Sequence, residues 1–253
     1  MNSDLFESTI PFGEPGLMRA SAYRRYLDEK EAETMPAGIS TRISSLSPSL
    51  RADLLRFEQD GGASEAVEVM AACVRHSKRV TVHFQCGPIV VPITVFPRER
   101  LVHCPMDMDE LVNRHLAQLR VMHVEPALLP APGDSESGFN DRGHLHHPLG
   151  PLLWNLALRG LRRELLPEIA GPASYRVAPA LDINRLPAPP LLIELIHRLR
   201  ERSVHLRELS EWPGMDRERA IRLLNALYLQ AGLIVSRSHP DAISEKWFGG
   251  EPR

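Results

Sequence analysis

Near the C-terminal end, apolar residues recur at spacings of three and four. After Pro189-Pro190, Leu192, Leu195, Ile196 and Leu199 share one helical stripe, and proline suits a first turn whose N–H has no partner. Ser203 is placed to cap a short second helix carrying Leu206 and Leu209. Trp212-Pro213-Gly214 sets a turn, because proline fixes φ and glycine tolerates positive values. Asp216 then caps a third helix with Ala220, Ile221, Leu224, Leu227, Tyr228 and Ala231 on its inner face. Gly232 is expected to close it as the left-handed residue, and Leu233-Ile234-Val235 reads as a strand.

Upstream the pattern mixes two periods. Ser47-Pro48 opens a helix through Leu50, Leu54 and Phe57, broken by Gly61-Gly62. A second helix from Ser64 turns Val67, Met70, Ala71 and Val74 inward. Val80, Val82 and Phe84 then alternate with Thr81, His83 and Gln85, the period of a half-buried strand. Cys86-Gly87-Pro88 is a hairpin turn, and the return strand from Ile89 to Phe96 is apolar on both faces. Pro92 within it predicts an edge position or a bulge. A short strand over 100–103 follows. Asp107 with Glu110 starts a helix bearing Leu111 and Leu116, and a strand covers 119–124. Residues 129–143, rich in Pro, Gly, Ser and acids, read as a linker. A helix over 148–166 turns Leu149, Leu152, Leu153, Leu156 and Ala157 inward, and 175–190 reads as irregular.

These elements predict an α+β protein: a small N-terminal α+β module with a three- to four-stranded antiparallel sheet, and a mostly helical C-terminal half. The expected division is a flexible arm over 1–45, the module over 46–128, a linker over 129–144, a helical connector over 145–188 and a last domain over 189–253. The arm holds a short charged helix candidate over 20–33, and partial disorder is expected around it, with Leu17, Tyr23, Tyr26 and Leu27 as an aromatic face for a partner. The 253 residues are 43% apolar and 25% charged, with a net charge of −2, which excludes bulk electrostatic attachment to nucleic acid or membrane. Three cysteines, Cys73, Cys86 and Cys104, have no disulfide-framework spacing, and no apolar run approaches the ~20 residues that span a bilayer. A cytoplasmic setting without a membrane partner is the expectation.

In its order of helix, short helix, turn, long helix and strand, 189–237 resembles winged helix-turn-helix domains. That resemblance implies that the third helix, 216–231, meets DNA or a partner. Its side opposite the core stripe holds Arg219, Arg222, Ala226 and Gln230, flanked by Leu223 and Leu229, with Arg217 at its start. Arginine and glutamine suit base edges and phosphates, whereas the leucines require cover from another domain or a second copy. From Arg185 onward eleven Arg and Lys face nine acids, a slight surplus for a DNA-binding module.

Elsewhere the candidate chemistry is sparse. His144, His146 and His147 form a loop cluster of metal-ligand type, but no second ligand group stands at a zinc-site spacing. Cys86, Cys104, His83 and His103 lie on neighbouring strands, yet no third orienting group accompanies them. Arg159, Arg162 and Arg163 sit where cations complement a helix C-terminus, or where they would meet phosphate or an acidic partner. No nucleotide-binding motif and no carboxylate pair is present. The expectation is therefore a protein with no catalytic residues, cofactor or metal: a regulator or adaptor working through a protein partner or self-association, with DNA binding through Arg217, Arg219 and Arg222 as the alternative. A homodimer seam at Leu223 and Leu229, and an enzyme with a site built across the two halves, are the remaining readings.

Overall fold

The computed structural model describes residues 16–34, 48–50, 52–53, 66–132 and 145–237. The expected stripe at Leu54 and Phe57, the Gly61-Gly62 break, His144, most of the 129–144 linker and the tail after Arg237 lie outside the described residues. The chain divides into two units, Met1–Arg162 and Arg163–Arg253. The boundary thus follows Arg162, not the expected linker, because the stretch after 145 gives a strand and a helix to the first unit.

In that unit β1 (Met18–Arg19), β2 (Val80–Cys86), β3 (Ile89–Phe96), β4 (Leu101–His103), β5 (Arg120–Pro126) and β6 (His146–Pro148) make one antiparallel sheet. Its order is β5-β2-β3-β4-β6, with β1 paired to β3 as well. The β2–β3 hairpin turns at Gly87-Pro88. Gly87 takes a positive φ of 59°, and proline next to it cannot, which selects a type II′ turn. Pro92 is not on an edge strand: β3 is central. On the side away from β2, β1 pairs Ile89 and Val90 while β4 pairs Thr94 to Phe96. Pro92 therefore stands opposite the gap between them, where a missing N–H interrupts no ladder.

Along β2, Val80, Val82, Phe84 and Cys86 are buried on one face. The other face carries Thr81, His83 and Gln85. The helices Ala66–His76 and Leu149–Arg159 pack on one another and on the sheet at β5 and β4. The stripe from Leu149 to Ala157 is buried as expected, as are Val67, Met70 and Ala71, whereas Val74 is half-buried and Val69, Ala72 and Cys73, off the expected face, are buried too. Asp107 caps the 108–118 helical stretch by accepting from the Glu110 N–H at 2.8 Å.

The helix expected over 20–33 is present as Ala20–Thr34. The arm around it needs correcting over 18–34, because β1 and this helix are not free. Ala20 and Tyr23 pack on Val90, ringed by Met18, Tyr26, Leu27 and Met122. Its aromatic face meets this protein's own sheet.

The second unit has a three-stranded antiparallel sheet in the order β8-β7-β9, from β7 (Ser174–Val177), β8 (Val204–His205) and β9 (Leu233–Ser236). Between β7 and β9 come the helices Pro190–Glu201, Leu206–Ser210 and Arg217–Leu229. The middle strand β7 lies in a stretch expected to be irregular. Tyr175 and Val177 alternate into the core there, but four residues between Pro172 and Pro179 carry too short a pattern to read. The short helix starts from His205, not Ser203, because β8 intervenes. At the end of the long helix Ala231, not Gly232, is the left-handed residue, with φ 55°. The Ala231 N–H donates to Tyr228 O at 2.8 Å and the Gly232 N–H to Leu227 O at 2.9 Å, a Schellman motif. Gly232 is glycine for another reason: a Cβ there would stand 2.6 Å from Leu181 Cδ2. Together these make a mixed, antiparallel α+β protein. Among the described residues no helix is long and apolar enough to cross a membrane.

Candidate functional site

The Arg217–Leu229 helix begins as expected, with the Asp216 carboxylate accepting from the Arg219 N–H at 2.8 Å. Its six expected contact residues do not form one surface. Arg217 and Arg219 are exposed, Arg222 and Gln230 are half-buried, and Leu223 and Leu229 are buried. Arg219 donates through Nη1 to Gly214 O at 2.9 Å and lies 3.6 Å from Asp216. Arg222 donates through Nε and Nη2 to Glu218 Oε1, at 3.1 and 2.8 Å. Ala226, at the middle of the outer face, is fully buried.

Asn225 lies on the flank of that face. It is 1% exposed, so both ends of its amide require partners. Its Oδ1 accepts from the Leu166 N–H at 2.9 Å, and its Nδ2 donates to Glu164 O at 2.9 Å. The available signal is an asparagine inside the apolar run from Leu223 to Leu229, since asparagine is a poor helix former. Its partner, a backbone 59 residues away, has no local signature. The same segment is held at three further points. Tyr175 Oη donates to Ile169 O at 2.7 Å, and Arg237 Nη2 donates to Glu168 O at 2.8 Å and Ala170 O at 3.3 Å. Burial raises the Tyr175 phenol pKa, opposed in part by Arg237, which keeps the hydroxyl a donor.

Arg159, Arg162 and Arg163 are dispersed. Arg159 donates to Asn113 Oδ1 at 3.4 Å. Arg162, buried, is paired with Glu68 of the Ala66–His76 helix. Arg163 lies 3.9 Å from Glu218 in an exposed pair, which contributes little in water.

In the first unit the polar sheet face gathers side chains the sequence showed only singly. Thr81 and Thr94 hydrogen-bond across β2 and β3 at 2.9 Å. The His83 ring stacks on Tyr23 at 4.8 Å between centroids, and its Nε2 lies 3.8 Å from Glu125 Oε1. His103 meets His146 edge-on at 5.2 Å. Burial, then Glu125 and Tyr26, raises the Tyr23 phenol pKa, so it stays protonated. Cys86 lies on the face opposite His83, which breaks up the Cys–His set. Burial pushes the Cys73 thiol up to about 12, and Cys86 and Cys104 up to about 11. Such thiols are poor nucleophiles at neutral pH.

His146 faces His103 across the ladder and His147 faces Val102, so strand alternation sends the two imidazoles to opposite faces. Among the described residues, no three His, Cys, Asp or Glu side chains gather as a ligand set.

One more polar cluster lies at the end of the Ala66–His76 helix. Ser49 Oγ lies 3.3 Å from His76 Nδ1, and His76 Nε2 lies 2.8 Å from Asp53 Oδ2. The residue types are those of a serine triad, but the ring nitrogens are exchanged, since in that triad Nε2 meets the serine and Nδ1 the carboxylate. Moreover, Arg75 Nη2 sits 2.6 Å from the same Asp53 oxygen, which compensates the charge an imidazolium would need. The cluster ties residues 49–53 to the end of the Ala66–His76 helix. Set against known protein families, curated proteins and solved structures, the chain matches none of them.

Proposed function

We propose that this is a non-catalytic regulatory or adaptor protein acting through protein contacts. In this reading the first unit receives a protein or small ligand and the winged-helix-like second unit transmits or assembles. The supporting observation is the state of the Arg217–Leu229 helix. Its outer leucines and Ala226 are buried, and Arg219 and Arg222 are engaged with Asp216, Gly214 and Glu218. A helix that reads DNA instead presents its polar side chains to the groove. The buried, protonated thiols and the carboxylate shared by Arg75 and His76 lend support to a non-catalytic role.

The competing reading, a DNA-binding regulator using 216–231, draws on the exposure of Arg217 and Arg219 at the start of the helix. Fluorescence anisotropy with a labelled mixed-sequence duplex separates the two. The adaptor reading predicts no saturable binding at 100 mM salt up to protein concentrations of about 10 µM, inside the usual non-specific range. Binding that weakens steeply with salt, and whose salt slope falls in R217A/R219A, would contradict it.

A further inference from the structure

The short strands β4 and β6 place His103 and His146 directly opposite one another. The Cys104 N–H donates to Leu145 O and the Leu149 N–H to Arg100 O, both at 2.9 Å. In the alternating antiparallel ladder, 103 and 146 therefore fall at a non-hydrogen-bonded position, where facing side chains come closest. Pro148, which has no N–H to give, takes the other such position, opposite Leu101. The two ring centres stand 5.2 Å apart. With metal–nitrogen bonds of about 2.0–2.1 Å and ring centres about a further 1.1 Å out, two imidazoles on one tetrahedral cation have centres about 5 Å apart. The register also runs Glu125, Thr81, Thr94, His103 and His146 in one row across β5, β2, β3, β4 and β6, so the pair lies on the polar face of the sheet.

We propose that His103 and His146 form a two-imidazole site for a borderline divalent cation such as zinc or nickel, with water in the remaining positions. Neutral imidazole suits these ions, whereas a hard cation such as magnesium prefers oxygen. His103 is buried, so its ring has little rotamer freedom left to lose on ligation. His146 is half-buried on the edge strand beside Phe96, which leaves the outer side of the pair to water. His147 faces Val102, on the other face of the same strand, and stands outside the site. Two protein ligands make an exchangeable site, since a structural zinc takes four. The site lies within the first unit and goes beyond the adaptor reading, which does not depend on it.

Isothermal titration calorimetry of the dialysed full chain with zinc, nickel and magnesium chlorides tests the site, with thermal unfolding in the same solutions as a second readout. Zinc or nickel is expected to bind saturably, one ion per chain, at concentrations below about 1 mM and to raise Tm, because a ligand held by the native state alone stabilises it. Magnesium should do neither. H146Q removes one of the two ligands from an edge strand, where the fold is least at risk, and should weaken binding by at least about tenfold. H103Q should do the same, and H147Q should bind as wild type does. Should the buried H103Q chain fail to fold, H146Q against H147Q still decides. Absence of saturable binding and of any Tm gain with both zinc and nickel overturns the proposal. So does binding that H146Q leaves unchanged, or an equal loss in H146Q and H147Q, which places the ion elsewhere. No DNA or partner is present, so the duplex measurement can defeat the adaptor reading while the cation site stands, and the reverse.

Discussion

At the scale of single residues, backbone conformation and burial make opposed predictions at neighbouring sites. Ala231 holds a φ of 55°, where an alanine Cβ costs roughly 1–2 kcal/mol, against about 0.5–1 kcal/mol of extra chain entropy lost by glycine. The first term wins, so A231G should stabilise by up to about 1 kcal/mol and raise Tm. At Gly232 the added Cβ meets Leu181, so G232A should lower Tm by overpacking. Identical shifts for the two variants would refute this assignment of the cap. The thiols give a test in pH. A raised folded pKa means that the native state keeps its proton where the unfolded chain loses it. Stability is therefore retained below about pH 9 and declines as pH rises through about 11. Ellman's reagent at pH 8 should label none of the three cysteines in the native protein and all three in guanidinium. Rapid native labelling of Cys86 or Cys104 would show an accessible thiolate. Neither the buried thiols nor the Schellman residue is specified by composition: Gly232 stands out in the sequence and Ala231 does not, although Ala231 carries the strain.

At the scale of elements, the legible parts were those whose stripe is long. The helices 66–76, 149–159, 190–201 and 217–229 and the 80–96 hairpin each carry enough apolar positions to define a period. The strands β1, β6, β7 and β8 do not. They are two to four residues long, and their identity comes from remote partners such as Val90 for Met18 and His103 for His146. The Ala20–Thr34 helix was legible as a charged helix, but its packing was not, because its narrow stripe is completed by Val90 and the stacked His83. That packing is testable with Y23A. Removing a buried aromatic typically costs about 3–5 kcal/mol, and here the loss should appear first as proteolysis at the arginines and lysine of 19–30. A Y23A chain as resistant as wild type in that stretch would mean that the helix is held by something other than its tyrosine. Y23F, which keeps the ring stack, should stay close to wild type.

At the scale of the whole molecule, function rests on how the Arg217–Leu229 helix spends its surface. The sequence showed more apolar surface than a three-helix core covers, with Leu223 and Leu229 as the excess. Both are buried within a single chain, and Asn225 beside them holds the segment that enters the second unit. The sequence could pose the question of what covers those leucines but could not answer it, because the cover has no fixed spacing from the helix. If the chain itself supplies it, the leucines act in stability; if a second copy does, they act in assembly. Sedimentation velocity and thermal unfolding of L223A and L229A, run together across protein concentration, decide between these. The account predicts an unchanged sedimentation coefficient, a Tm independent of concentration, and a loss of about 2–5 kcal/mol in each variant. A wild-type dimer that L223A or L229A converts to a monomer of unaltered unfolding temperature would contradict it.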